Sequence, residues 1–189
     1  MKKIGITGSL ASGKSTASNF LSKNRGPLFS ADKFVNKLYR TNLFKKKISK
    51  KLNIKNFKNI KKTILREKIL ENEGNIKKIE KVIHPIVRKE MFKFMKKHKK
   101  KNFIFFEIPL LIENKLEKNF DVIFFIKAKK KVRLKRFCLK GGSKKLFHIL
   151  DKKQMSDVKK KKNCDHVIVN EKNIKFLKKS LSDILIQYE

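Results

Sequence analysis

Apolar residues along this chain fall into short unbroken runs, separated by longer stretches in which they recur every three or four positions. Short apolar runs bounded by turn residues read as strands covered on both faces, and the 3.6-residue recurrence reads as amphipathic helix. Strands are predicted near Lys2 to Thr7, Pro27 to Phe29, Phe103 to Ile108, Val122 to Ile126 and His166 to Val169. Their alternation with helical pattern predicts an α/β fold, a five-stranded, mainly parallel sheet flanked by helices. The interval between the second and third strands is too long for one crossover helix. Residues 34–101 are amphipathic almost throughout, so they are predicted to form an inserted helical lobe in a single domain whose core is 1–33 and 102–189. A second interruption, about 138–156, opens with Gly141-Gly142 and is polar enough to predict a short mobile lid before a helix resumes. Ile174, Leu177, Leu181, Ile184 and Leu185 then mark a last helix closing the sheet.

Composition changes this picture little. With 189 residues, 40% of them hydrophobic, the chain is long enough to bury a substantial core. Its 52 basic and 16 acidic residues give a formal charge of +36, which on its face points to a nucleic acid or an anionic membrane. That inference is weakened by the kind of residue involved. Phe, Tyr, Met, Ile, Asn and Lys, encoded by A/T-rich codons, total 104, whereas Gly, Ala, Arg and Pro total 20, and Lys outnumbers Arg 46 to 6. The lysines lie along the whole chain in short runs, as solvated faces do. Cys138 and Cys164 have neither metal-ligand spacing nor a disulfide framework, and are expected to be reduced thiols in a cytoplasmic protein. The longest apolar runs are far too short to span a bilayer.

Candidate chemistry begins at the first strand. Gly8 to Ser15 read G-S-L-A-S-G-K-S, a full G-x-x-x-x-G-K-[ST] phosphate loop placed between a strand and a helical pattern. Backbone N–H groups from Gly8, Ala11, Ser12 and Gly13 onward would meet phosphate oxygens at the positive end of the helix. Lys14 would reach the β- and γ-phosphates, Ser15 would offer its hydroxyl to Mg²⁺, and Thr16 would add one near the α-phosphate. Asp32 follows the second strand, on the edge where parallel sheets bind ligands. There it suits a general base or orienting group for an attacking hydroxyl, and equally an N-cap for the next helix. Glu107 ends a hydrophobic strand, as a carboxylate holding Mg²⁺ through water would.

Taken together, the phosphate loop, Ala31-Asp32, Leu65-Arg66, His84-Pro85-Ile86-Val87-Arg88, Pro109-Leu110-Leu111-Ile112-Glu113-Asn114 and Asp165-His166-Val167-Ile168-Val169-Asn170 resemble the dephospho-coenzyme A kinase family, in order and over essentially the whole chain. The resemblance implies a P-loop kinase fold and transfer of the γ-phosphoryl of MgATP to the ribose 3′-hydroxyl of dephospho-CoA, the last step of coenzyme A synthesis. It implies that Asp32, Lys14, Arg136 and Lys140 are catalytic, that Asp32, Arg66, His84 and Arg88 meet the acceptor, and that Asn170 contacts adenine. It also implies a small-molecule partner; no specific nucleic acid, no membrane, and a monomer or small homo-oligomer are expected beside it. Arg133, Arg136 and Lys140 would lie on the helix entering the lid, and a later basic position of the lid falls near Lys160.

Several positions depart from the family pattern. Ser9 and Ala11 stand where glycine is usual, Ser30 where the family has a first aspartate, and Lys140 where arginine is common. The glycine that often follows Asn170 is absent. Two rival readings stay open: a kinase of the same architecture acting on a nucleoside monophosphate, nucleoside or sugar acid, and a nucleic-acid-binding ATPase. The second would need base-stacking aromatics beside its cations, whereas the phenylalanines here sit mostly at core periodicity.

Overall fold

Phe103-Ile104-Phe105-Phe106 and Val122-Ile123-Phe124-Phe125-Ile126 carry no polar residue on either face, and only a position between other strands covered by helices on both sides can bury such segments. The computed structural model, which describes residues 1–189 except the side chain of Asn59, places them accordingly. Strands β1 (Lys2–Gly8), β2 (Leu28–Ser30), β3 (Phe103–Glu107), β4 (Val122–Lys127) and β5 (His166–Val169) form one sheet in the order β2-β3-β1-β4-β5. Every pair is parallel, with Ile4 opposite Phe105 on one side and Val122 on the other. Phe105, Phe106, Phe124 and Phe125 are wholly buried. The predicted five-stranded parallel sheet is therefore present, with strand ends shifted by at most a residue; β2, for example, ends on Ser30 rather than Phe29.

Helices α1 (Lys14–Ser22), α6 (Lys130–Leu139), α7 (Lys144–Lys153), α8 (Asp157–Lys161) and α9 (Ile174–Leu185) belong to the same unit as the sheet, which comprises residues 1–30 and 97–189. Ala17 and Leu21 of α1 and Leu177, Leu181 and Leu185 of α9 pack on Ile4, Ile6, Phe124 and Ile126 to make its core. Asp165 ties β5 to β4 by accepting the Ile123 N–H at 2.7 Å. Much of the predicted lid is helix: Leu146, Phe147 and Ile149 of α7 are buried, and the Phe147 ring lies 5.7 Å from that of Phe137 on α6.

Residues 31–96 form a second compact unit made of α2 (Ala31–Leu38), α3 (Asn42–Leu52), α4 (Lys62–Glu71) and most of α5 (Asn75–Lys97). Its own core joins Phe44, Ile48 and Leu52 of α3 to Ile60, Leu65 and Ile79. Helix α5 runs unbroken through Pro85, which places His84 in mid-helix and not at a helix start. Proline there removes one backbone bond of the helix. Asp32 sits in the first turn of α2, where a carboxylate is favoured by the helix dipole.

Candidate active site

The turn from β1 to α1 is shaped by two glycines. A Cβ on Gly8 would lie 2.4 Å from the Ile126 carbonyl oxygen, so only glycine lets the chain pass β4 there. Gly13, at the N-cap of α1, has φ +102°, a region that side chains rarely adopt, and a Cβ on it would strike the Asn170 amide at 2.1 Å. Between them the loop closes with Ser12 N–H donating to the Ser9 carbonyl at 3.1 Å. Lys14 is buried and its ammonium donates to the same Ser9 carbonyl at 3.0 Å, so the cation is held inside the loop's curve. The Ser12 hydroxyl is buried there without a hydrogen-bond partner.

Glu107, at the end of β3, is 1% exposed, and each of its oxygens takes one hydroxyl. Ser15 donates to Oε1 at 2.5 Å and Ser30 to Oε2 at 2.7 Å. Parallel pairing sets Ser30 opposite Glu107, so Ser30, which stands at the first aspartate of the resemblance, reaches that carboxylate directly. A hydroxyl beside a buried carboxylate is a hard oxygen pair of the kind that holds Mg²⁺ together with phosphates and water. Among the described residues no group of three or more His, Cys, Asp or Glu could hold a metal by itself.

The basic side chains predicted for the lid and its entering helix occupy four environments. Arg136, half-buried, donates from Nη1 to the Ser12 carbonyl at 3.3 Å and to the Asn170 carbonyl at 3.1 Å, beside the loop. Arg133 is 6% exposed and faces inward: Nε donates to the Ala128 carbonyl at 3.0 Å, and Nη1 to Asp151 at 2.5 Å and the Leu10 carbonyl at 3.4 Å. Lys140 is exposed at the C-terminal end of α6. Lys160 is fully buried, its ammonium 2.7 Å from Glu113 Oε1 in an ion contact without hydrogen-bond geometry, so this basic position ties α8 to the segment after β3. Burial, followed by the charge of Asp165, pushes the nearby Cys164 thiol up to about 12, which leaves it protonated and unreactive. Asn170 is buried, and its amide donates to the Ser12 carbonyl at 2.8 Å.

Asp32, Arg66, His84 and Arg88 all lie in the helical unit. Burial raises the Tyr39 phenol, with the Asp32 carboxylate adding to the rise and the Arg66 guanidinium opposing it, so these three groups share one field. Burial also lowers the His84 imidazole, and the Arg88 cation lowers it further, which favours neutral His84 near neutral pH.

A family model described as dephospho-CoA kinase matches residues 2–175. The chain belongs to the dephospho-CoA kinase family. It is 32% identical to the dephospho-CoA kinase of Bartonella henselae, over 92% of this chain and 91% of that protein. The solved dephospho-CoA kinase of Campylobacter jejuni superposes with a TM-score of 0.65 at 25% identity, covering 100% of this chain and 97% of that one. Shikimate kinase from Acinetobacter baumannii, at 15% identity and a TM-score of 0.57 over 99% of this chain and 92% of its own, shares the fold. Membership makes this chain a kinase with ATP as co-substrate and a small molecule as acceptor. No helix among the described residues is long and apolar enough to cross a membrane.

Within this family frame the sequence left several residues of the site unnoticed. Gln154 Oε1 accepts the Leu10 N–H at 2.7 Å, and Asp157 Oδ1 accepts the Ser9 hydroxyl at 2.5 Å. Tyr39 shares the field of Asp32 and Arg66. No local signal marks any of them, because each lies in a lysine-rich stretch and gains its meaning from a distant partner.

Proposed function

We propose that this chain phosphorylates the ribose 3′-hydroxyl of dephospho-CoA with ATP, releasing coenzyme A and ADP. The observation that supports it best is the pairing of the Lys14-Ser15 loop with Glu107 at the end of the adjacent strand, joined through the Ser15 hydroxyl. Backbone N–H groups of the loop and Lys14 bind the β- and γ-phosphates, and Ser15 with Glu107 would hold Mg²⁺, Glu107 through water. Mg²⁺, when bound, neutralises charge on the phosphate oxygens. Ser30 keeps the Glu107 carboxylate turned toward Ser15.

The acceptor hydroxyl loses its proton as its oxygen attacks the γ-phosphorus, and the bond to the ADP oxygen breaks. Asp32 accepts or orients that proton, while Arg136 and Lys140 offset charge on the transferring group. Arg66 and Arg88 suit the acceptor's phosphates, because a guanidinium binds phosphate oxygens through two bonds. His84, with its pKa lowered, would serve there as a neutral hydrogen-bonding group. Asn170 supports the loop through Ser12 and stays assigned to the adenine contact. The reading includes a monomer or small homo-oligomer without specific nucleic-acid or membrane partners.

The test is ADP release by the purified protein with dephospho-CoA, beside a panel of nucleoside monophosphates. Dephospho-CoA alone should accelerate release. Acceleration only by AMP or CMP would assign the site to another acceptor, and acceleration only by DNA or RNA would make it a nucleic-acid-dependent ATPase.

A further inference from the structure

Gln154 and Asp157, at the junction of α7 and α8, make contacts that the kinase reading does not use. Both contacts go to the first half of the phosphate loop. The Leu10 peptide is gripped on two sides: its N–H donates to Gln154 Oε1 at 2.7 Å, and its carbonyl accepts from Arg133 Nη1 at 3.4 Å. One residue earlier, the Ser9 hydroxyl donates to Asp157 Oδ1 at 2.5 Å. Arg133 is itself fixed by Asp151 of α7. The loop is thus fastened by side chains that lie 123 to 148 residues away in the chain.

This chain has particular need of such a hold. Ala11 adopts φ +58°, a left-handed conformation that disfavours any residue with a Cβ. A loop left to itself would relax toward other shapes and would have to be ordered again by each incoming nucleotide. The hydroxyl that Asp157 grips exists only because residue 9 is serine, since glycine offers no side chain. The Leu10 N–H is already committed to Gln154, so that bond shapes the loop instead of binding phosphate.

We propose that Gln154 and Asp157 are positioning residues for the nucleotide site, holding Ser9 and Leu10 so that the following N–H groups are preformed for phosphate. The inference rests on the reading of Gly8 to Ser15 as that site. It assigns nucleotide affinity in part to the α7–α8 junction, whose side chains bond to the loop.

The test is titration of the intact protein with a fluorescent ADP, together with separate KM values for ATP and dephospho-CoA. Gln154→Ala and Asp157→Ala should each raise the ADP dissociation constant about fivefold, as loss of one net hydrogen bond does. The KM for ATP should rise with it, while that for dephospho-CoA stays put. Asp157→Asn and Gln154→Glu keep the accepting oxygen and should bind ADP nearly as the unaltered chain does. Ser9→Gly combined with Asp157→Ala should be no worse than Asp157→Ala alone, because both remove the same bond. Unchanged ADP binding in both alanine variants overturns the proposal. So does a parallel rise in both KM values with a lower melting temperature, which marks a purely structural role. An unaltered protein that binds no ADP would refute the kinase reading itself, and this inference with it.

Discussion

Lys14 and Asp32 carry the two halves of the proposed transfer, and they fail in different ways when altered. Lys14 is buried against the Ser9 carbonyl, an arrangement that holds a cation ready for a triphosphate. Lys14→Ala should lower the transfer rate by about 10²- to 10³-fold, as loss of a preorganised charge at a reacting group does. Asp32→Asn keeps the side chain's shape and removes its basicity. Initial rates should fall by about 10²-fold or more, while ADP binding by titration stays close to that of the unaltered chain. A variant at Asp32 with full turnover would remove it from the chemistry. The phosphate loop could be read from sequence because its residue types are contiguous and each has a mechanical reason. Ser30 could not: its bond to Glu107 joins positions 77 residues apart, and a serine in place of aspartate reads locally as a loss.

At the scale of elements, helices α5 and α8 each contain an ionisable group with a measurable consequence. Lys160 of α8 is wholly buried against Glu113. Removing one partner of such a pair leaves an uncompensated charge, so Lys160→Met should cost about 3–5 kcal/mol in urea unfolding, and adding Glu113→Gln should restore part of it. His84 of α5 has its pKa lowered in the folded state. Below about pH 6.5 the unfolded chain then binds a proton that the folded chain resists, so stability present above that pH is lost as pH falls toward the lowered value. Melting temperatures at pH 7.5 and 5.5 should fall less on acidification for His84→Asn than for the unaltered chain. Elements themselves were legible where the pattern was extreme. β3 and β4 are continuous apolar runs that only a central strand explains, whereas the pattern over α7 predicts part of a polar lid, because lysines surround Leu146, Phe147 and Ile149 and mask its buried face.

For the whole molecule, the charge of +36 is the dominant long-range property. It attracts polyanionic substrates and also repels itself, and salt screens both effects. The melting temperature should therefore rise as NaCl increases from about 0.02 to 0.3 M while the KM for ATP also rises. A melting temperature that falls over that range would mean that specific surface ion pairs outweigh the self-repulsion. Fold and family rest on the ordered set of motifs along the entire chain, which is why they survive a composition so strongly skewed toward lysine. The account is tested most directly by the rate of ADP formation with dephospho-CoA against the rate with coenzyme A, whose 3′ position is already phosphorylated. Rapid ADP formation with dephospho-CoA, none above background with coenzyme A, and a rate about 10²- to 10³-fold lower with the Lys14→Ala variant is the predicted result. Equal rates with both, or a rate independent of Lys14, would contradict it.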